Sequence, residues 1–95
     1  MEIKIQAIRF EATKKLQDFI YKKVGKLEKF SDEIRKVEVS LKVVKPETAM
    51  NKEVAIRAGE CYVEKVCDTF EEAIDNCMDA LLKQVQKSKE KHQNH

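Results

Sequence analysis

The chain has no tryptophan, one proline and two glycines among its 95 residues. With so few helix- and strand-breaking residues there is no room for a long flexible linker, so we predict one folded domain over residues 1–91 and a polar tail over residues 92–95. No apolar run approaches the roughly 20 residues that a membrane-spanning helix needs. The N-terminus lacks the basic start and apolar run of a signal peptide, and we therefore expect a cytoplasmic protein without membrane contact.

Cysteine and histidine are also scarce, which bears on metal and redox chemistry. Cys61, Cys67 and Cys77 never form a C-x-x-C pair, the spacing of many zinc and redox sites. We interpret them as buried or half-buried reduced thiols, because free cysteine is among the most often buried residue types. His92 and His95 lie in the polar tail, which makes them poor metal ligands or catalytic bases.

Catalytic motifs are lacking as well. The chain contains no phosphate-binding G-x-x-x-x-G-K-[ST] loop, no G-x-S-x-G elbow and no H-E-x-x-H pair, each of which places specific groups around a reacting centre. The sequence therefore predicts that the protein is not an enzyme and has no cofactor, no metal and no small-molecule substrate.

What the chain does contain is regular patterning, beginning with strands. "EIKIQAI" and "KVEVSLKVVK" alternate between apolar and polar residues, which predicts half-buried strands. In the second of them four apolar residues are expected to face the core, namely Val37, Val39, Leu41 and Val43.

Two further strands, "KEVAIRA" and "CYVEKVC", flank Gly59-Glu60. A two-residue loop that starts with glycine is typical of a type II′ hairpin. The inward face of the last strand stays open, because either Cys61 with Val63 or Tyr62 with Val66 could face the core.

Two segments have apolar residues at spacings of three and four, which predicts amphipathic helices. The first is "EATKKLQDFIYKKVGKLEKF", with Gly25 as a weak point inside it. Its apolar stripe is Leu16, Phe19, Ile20, Val24, Leu27 and Phe30. The second is "DTFEEAIDNCMDALLKQVQKSKEK", which begins with Asp68 or Thr69 as the N-cap. Its stripe is Phe70, Ala73, Ile74, Cys77, Leu81 and Val85.

The element order is thus β-α-β-β-β-α. Hairpins make strands two to four antiparallel, and the first strand can join the second through the crossover helix. Because each helix has one apolar stripe, both are expected to cover the same face of the sheet. The predicted fold class is α+β: a two-layer sandwich of a four-stranded sheet with two helices packed on one face.

Charge is segregated along the chain, although the net charge is only +2. Residues 14–29 hold six lysines and two acids, residues 68–79 hold five acids and no base, and residues 80–95 hold four lysines and one acid. On helical wheels, lysines fall on one flank of each helix: Lys15, Lys22, Lys26 and Lys29 in the first, and Lys83, Lys87 and Lys91 in the second. We expect these rows to converge and the acids of the second helix to form a different surface.

Converging lysine rows are suited to phosphates, which attract them through charge and counterion release. Arginine is limited to three residues and the basic flanks carry no aromatic residues, so reading of base edges or stacking on bases is not indicated. The pattern favours shape-selective binding of folded RNA.

Two other interpretations stay open at this point. A charged helix face can simply be solvated. Alternatively, the chain is a protein-interaction regulatory module in which Glu72, Asp75 and Asp79 or the exposed sheet face bind a partner and the lysines serve only solubility.

Three features together resemble a known family. They are "KKVGKLEKF" in the first helix, "VCDTFEEAIDNCMDALLKQVQKSKEK" in the second, and the β-α-β-β-β-α order. They resemble the short bacterial ribosome hibernation promoting factors, also known as ribosome-associated inhibitors or the sigma-54 modulation family, over nearly the whole chain.

The resemblance implies a fold like that of double-stranded RNA-binding domains and a role as a translation inhibitor. Such a factor binds ribosomal RNA of the small ribosomal subunit and blocks the messenger and transfer RNA sites in stationary or starved cells. Pairing of ribosomes would need another factor. The RNA-binding residues implied by the resemblance, with Lys22 added from the helical wheel, are Lys22, Lys23, Lys26, Lys29, Lys83, Lys87, Lys89 and Lys91.

Overall fold

The computed structural model of the chain describes residues 1–45, 47 and 49–93, with side chains from 88 onward left out. The elements in chain order are β1 (Glu2–Ala7), α1 (Lys14–Val24) continued by a 3₁₀ segment (Gly25–Lys29), β2 (Lys36–Val43), β3 (Lys52–Ala58), β4 (Cys61–Cys67) and α2 (Phe70–Gln93).

The four strands form one sheet in the order β1-β2-β3-β4. β1 and β2 are parallel, with Ile3 opposite Val37. The other two pairs are antiparallel, with Ile56 of β3 opposite both Val39 and Val63. Both helices pack on one face of this sheet, so the predicted α+β sandwich is confirmed.

One apolar core fills the space between the sheet and the helices. Its fully buried members come from both layers, including Ile20 and Leu27 from the first helical region, Leu41 and Ile56 from the sheet, and Leu81 from α2. The stripe predicted for the second helix is confirmed, and Met78 extends it, since it is also buried. The three cysteines are free thiols, two buried and one half-buried, as predicted.

The first helix is shorter than its pattern predicted. The Leu16 amide donates to Thr13 Oγ1 at 3.1 Å, so Thr13 is the N-cap. At Gly25 the α-helix gives way to the 3₁₀ segment, which ends at Lys29. Phe30 follows this segment and is 38% exposed, so its predicted place in the core was wrong.

The sheet resolves one open alternative and corrects one expectation. Val63 and Cys67 face the core, whereas Tyr62 and Val66 face outward. Val43 has the inward parity that was predicted, but it is the last residue of β2 and is 41% exposed.

The hairpin between β3 and β4 has positive φ only at the first of its two central residues. Gly59 has a positive φ of 60°, whereas φ of Glu60 is not positive. This pattern is that of the predicted type II′ turn.

The second helix begins after Thr69, whose Oγ1 accepts the Glu72 amide at 3.1 Å, so Thr69 is the N-cap. Far along the helix, Gln84 bonds the backbone of the edge strand β4. Its Nε2 donates to Tyr62 O at 3.0 Å, and its Oε1 accepts the Tyr62 amide at 3.2 Å. No helix in the described part of the chain is long and apolar enough to cross a membrane.

Candidate nucleic-acid interface

The first group of lysines lies where α1 ends and the 3₁₀ segment follows. Lys22, Lys26 and Lys29 are exposed, while Lys23 is half-buried. The buried neighbours Val24 and Leu27 hold this stretch against the core. These apolar residues fix the backbone, and the neighbouring lysines remain exposed to solvent.

Lys23 differs from its neighbours because it has a partner. Its Nζ lies 3.4 Å from Asp75 Oδ1 of α2 and 5.5 Å from the centre of the Phe19 ring. Asp75 was expected to lie on a surface apart from the lysines, and that expectation was wrong. The two helices pack side by side on the sheet, and this brings Asp75 of α2 against Lys23 of α1.

The second group lies near the end of α2, where Lys83 and Lys87 are exposed. Between them, Gln84 bonds Tyr62 and Val85 is buried at 5% exposure. Because these two residues bind the helix to the sheet, the lysines on the flank are positioned by the fold. Lys89 and Lys91, which were also predicted to bind RNA, have side chains outside the described residues.

The two groups lie at the same end of the domain. Glu2 pairs with Lys36, so β1 and β2 start together, and β4 starts at this end too, since Ala58 pairs with both Val37 and Cys61. The 3₁₀ segment lies before β2, and Gln84 contacts the start of β4. The topology therefore places Lys26 and Lys29 at the same end of the helical layer as Lys83 and Lys87.

Both lysines and acids lie at this end of the domain; the acids include Glu2, Asp32, Glu33 and Glu60. Of the six predicted lysines whose side chains are described, only Lys23 forms an ion pair within 4.0 Å. Glu28 is the nearby acid in the 3₁₀ segment, and its Oε1 lies 3.2 Å from the Met1 amino group. The acids of the first turn of α2, Glu71 and Glu72, lie at the opposite end of that helix, where they suit its dipole.

The outer face of the sheet is electrostatically different. Lys4, Glu38, Arg57 and Tyr62 form one row across the four strands, and Arg57 lies 5.2 Å from the Tyr62 ring centre. Signs alternate in this row, so it offers no continuous positive surface to a phosphate backbone.

Next to this row lies a cluster of carboxyl groups. Tyr62 donates to Glu64 Oε2 at 3.0 Å, and this bond raises the pKa of Tyr62. A hydrogen bond between Glu53 and Glu64 raises the pKa of Glu53 and lowers that of Glu64. The negative charge held here makes the outer face still less suited to RNA than the lysine-bearing end.

The role of Gln84 was not found in the sequence. A glutamine among lysines is typical of a solvated helix face. Its hydrogen bonds to β4 depend on which strand lies beneath α2, and the sequence of the helix does not contain this. The only signal was its place one residue before Val85, the last member of the apolar stripe.

The comparisons with known proteins agree on one family. Residues 3–93 match the sequence model of the family described as "Sigma 54 modulation protein / S30EA ribosomal protein". The chain is 32% identical to the ribosome hibernation promoting factor of Klebsiella oxytoca, with all of both chains covered. It is 31% identical to the Pseudomonas putida protein of the same name, covering 98% of this chain and 91% of that one.

Solved structures support the same architecture. The Protein Y N-terminal domain of Thermus thermophilus superposes with a TM-score of 0.76 at 25% identity, covering 92% of this chain and 98% of that one. A ribosomal subunit interface protein from Coxiella burnetii superposes with a TM-score of 0.73 at 20% identity, covering 94% and 98%. The second likeness shows the fold alone.

Proposed function

The chain belongs to the sigma 54 modulation protein / S30EA ribosomal protein family, and from this premise we propose that it is a ribosome hibernation factor that inhibits translation. It binds the small ribosomal subunit through ribosomal RNA and occupies space that messenger and transfer RNA need. The family is not one of enzymes, and the proposal contains no catalytic step. A factor bound to ribosomes works in the cytoplasm, and we place this protein there.

The observation that supports RNA binding most strongly is the lysine-bearing end of the helical layer. Five exposed lysines from two separate segments lie there without an ion pair among the described residues, namely Lys22, Lys26, Lys29, Lys83 and Lys87. Ammonium groups without a carboxylate partner do not have to break an ion pair before they contact phosphate. Lysine acts as a point charge rather than a planar fork, which suits contacts to the RNA backbone more than to base edges.

The proposed inhibition is steric. A rigid two-layer domain held by phosphate contacts excludes other ligands from the volume it fills, and no conformational change is required. Because each phosphate contact releases counterions, binding is expected to weaken with salt by a log–log slope of roughly 0.7 to 0.9 per contact. A protein-interaction module that used its outer sheet face would show a much smaller slope.

The test is a double charge reversal, Lys83→Glu with Lys87→Glu, assayed by co-sedimentation with purified small ribosomal subunits. We expect loss of co-sedimentation with an unchanged circular dichroism spectrum and melting temperature, because both side chains are exposed. The matched control is Lys14→Glu with Lys15→Glu, which makes the same charge change at the other end of the helical layer. That variant is expected to co-sediment.

Two results would contradict the proposal. One is normal co-sedimentation of the Lys83/Lys87 variant, which would mean that these lysines do not contact the subunit. The other is equal loss in both variants, which would mean that net charge alone, and not a defined surface, governs binding.

A further inference from the structure

A cavity lies at the end of the sheet opposite the lysine-bearing end. It measures about 260 Å³ and is lined by Ile8, Arg9 and Phe10, which follow β1, and by Lys42 and Val43 of β2. β1 and β2 are the parallel pair, and the cavity lies at their carboxyl ends. The chain turns away from the sheet after Ala7 of β1 and Val43 of β2 and leaves a crevice there.

The chain makes this crevice with an unusual backbone conformation. The Ile8 amide still donates to Leu41 O at 2.9 Å and so extends the pairing of β1 by one residue. Arg9 then has φ of 66°, a left-handed conformation that is uncommon for a residue other than glycine. Strained residues of this kind persist where the surroundings hold them, and they are frequent at binding sites.

Phe10 fixes one wall of the cavity. Its ring stacks on Phe70, the first residue of α2, with centroids 5.3 Å apart and planes 13° apart. The wall is therefore anchored to the second helix as well as to the end of β1. A ligand therefore does not have to order the Phe10 ring when it binds.

The lining combines two kinds of chemistry. Arg9 and Lys42 are exposed cations, and guanidinium and ammonium groups form strong charge-assisted hydrogen bonds with phosphate. Ile8, Phe10 and Val43 are apolar, and Val43 is 41% exposed although it is inward in parity. A ligand with a phosphate and a flat, weakly polar part would use both.

The surrounding charges are mixed: Arg9 and Lys42 line the cavity, while Asp68, Glu71 and Glu72 lie beside Phe70 at the start of α2. Glu53 lies opposite Lys42 in the sheet, and its carboxyl is hydrogen-bonded to Glu64; Glu11 follows in the loop. On the other side, α1 begins with Lys14 and Lys15 and has no acid in its first turn. Lysines at the positive end of a helix dipole are unfavourable, and a bound anion nearby would offset this.

We propose that this cavity binds a nucleoside phosphate, either a free nucleotide or a single nucleotide of an RNA strand. The volume lies just below the roughly 300–1,000 Å³ of pockets that enclose drug-sized ligands, so it suits one nucleotide that stays partly in solvent. Binding involves no reaction, and the expectation of no small-molecule substrate is unaffected.

The site is separate from the lysine surface of the proposed function. Phe10 stacks on Phe70, and α2 rises about 1.5 Å per residue, so Lys83 lies roughly 20 Å farther along the axis. The inference therefore does not depend on ribosome binding, and each can fail alone.

The experiment is a titration of the isotope-labelled chain with guanosine and adenosine 5′-monophosphates and diphosphates, with the unphosphorylated nucleosides, and with a single-stranded hexaribonucleotide, followed by amide chemical shifts. We expect saturable shifts centred on residues 8–10 and 42–43. Saturation by free nucleotides identifies a free nucleotide as the ligand. Saturation by the hexaribonucleotide alone identifies one nucleotide of a strand.

Two variants and one control keep the test specific. Arg9→Gly removes the guanidinium and accepts the positive φ without strain, so it should fold. Lys42→Ala removes the second cation. Each is expected to weaken binding about tenfold or more, as for the loss of a hydrogen bond to a charged group. Lys36→Ala, an exposed residue on the same strand and face but roughly 20 Å away, should bind as the parent does.

The inference is overturned by absence of saturable shifts at these residues with every probe. It is also overturned by equal binding of the nucleosides and their phosphates, or by equal weakening in Lys36→Ala. The Lys83/Lys87 variant should bind nucleotide normally, and this separates the outcome from that of the ribosome assay.

Discussion

The two parts of α2 differ in what surrounds them. From Phe70 to Val85 the helix covers the sheet, with Ile74, Cys77 and Leu81 fully buried. Beyond Val85, the described side chains of Gln86 and Lys87 are exposed, and the helix continues to Gln93. An isolated helix of this length is weakly stable alone, so the second part depends on the first. One helix thus stabilises the fold with its first part and presents charge with its second.

Gln84 lies at the boundary between these parts. Its two hydrogen bonds to Tyr62 satisfy backbone groups of the edge strand β4, which would otherwise be open to pairing with another chain. The same bonds fix the direction in which the helix leaves the sheet. The boundary is thus set by a polar contact in addition to the apolar stripe.

The largest expected loss of stability comes from a substitution in the part of α2 that packs on the sheet. Leu81→Ala removes a fully buried side chain and should lower the free energy of unfolding by about 2–5 kcal/mol, the range for a cavity left in a core. Lys87→Ala, on the exposed part, should change it by less than about 0.5 kcal/mol. Urea denaturation followed by circular dichroism measures both. If both variants lose a similar free energy of unfolding, the two parts of α2 do not differ in their contribution to stability.

A smaller effect is expected at the boundary. Gln84→Ala removes two exposed hydrogen bonds and should lower the free energy of unfolding by about 1 kcal/mol. Hydrogen exchange should show faster opening of the α2 amides after residue 84, since their anchor to β4 is gone. Gln86→Ala, an exposed neighbour without such a bond in the described structure, is the control. Unchanged exchange in Gln84→Ala would mean that Val85 alone anchors the helix.

The smallest expected effect comes from breaking the ion pair between Lys23 and Asp75. Asp75→Asn should free Lys23 and strengthen binding to small ribosomal subunits about two- to threefold at low salt, while changing stability by less than about 1 kcal/mol, as for exposed pairs. Asp79→Asn makes the same charge change without breaking a described ion pair. If both variants bind equally well, the gain comes from net charge and Lys23 has no role of its own.

Most of the fold was predictable because the relevant signals are local. Alternation in β2 and the spacing of Ala73, Ile74, Cys77 and Leu81 in α2 predicted which faces are buried. Glycine at position 59 predicted the hairpin. The wrong predictions of burial lie at the ends of elements. Phe30 and Val43 have the spacing of core residues, but they are buried only if another element packs over them. The parity of β4 was undecidable because both of its faces carry apolar residues.

The candidate site was predictable in part. The lysines at spacings of three and four in the two helices indicated a basic flank, and the resemblance to a family added specific positions. The pairing of Lys23 with Asp75 could not be predicted, because helical wheels describe each helix alone and contain nothing about the neighbouring one. The cavity at Arg9 and Lys42 was missed for a similar reason: these residues are far apart in the chain and meet only when β1 and β2 pair.

The element order, the hydrophobic faces and the segregation of charge all follow from periodicity and composition over short stretches of the sequence. Tertiary structure alone decided which charges meet, which apolar residues are covered and where the backbone leaves a crevice. The physical reason is that hydrophobic burial follows local pattern, whereas ion pairs, strand edges and cavities depend on distances between segments that only the packed helices and sheet bring together.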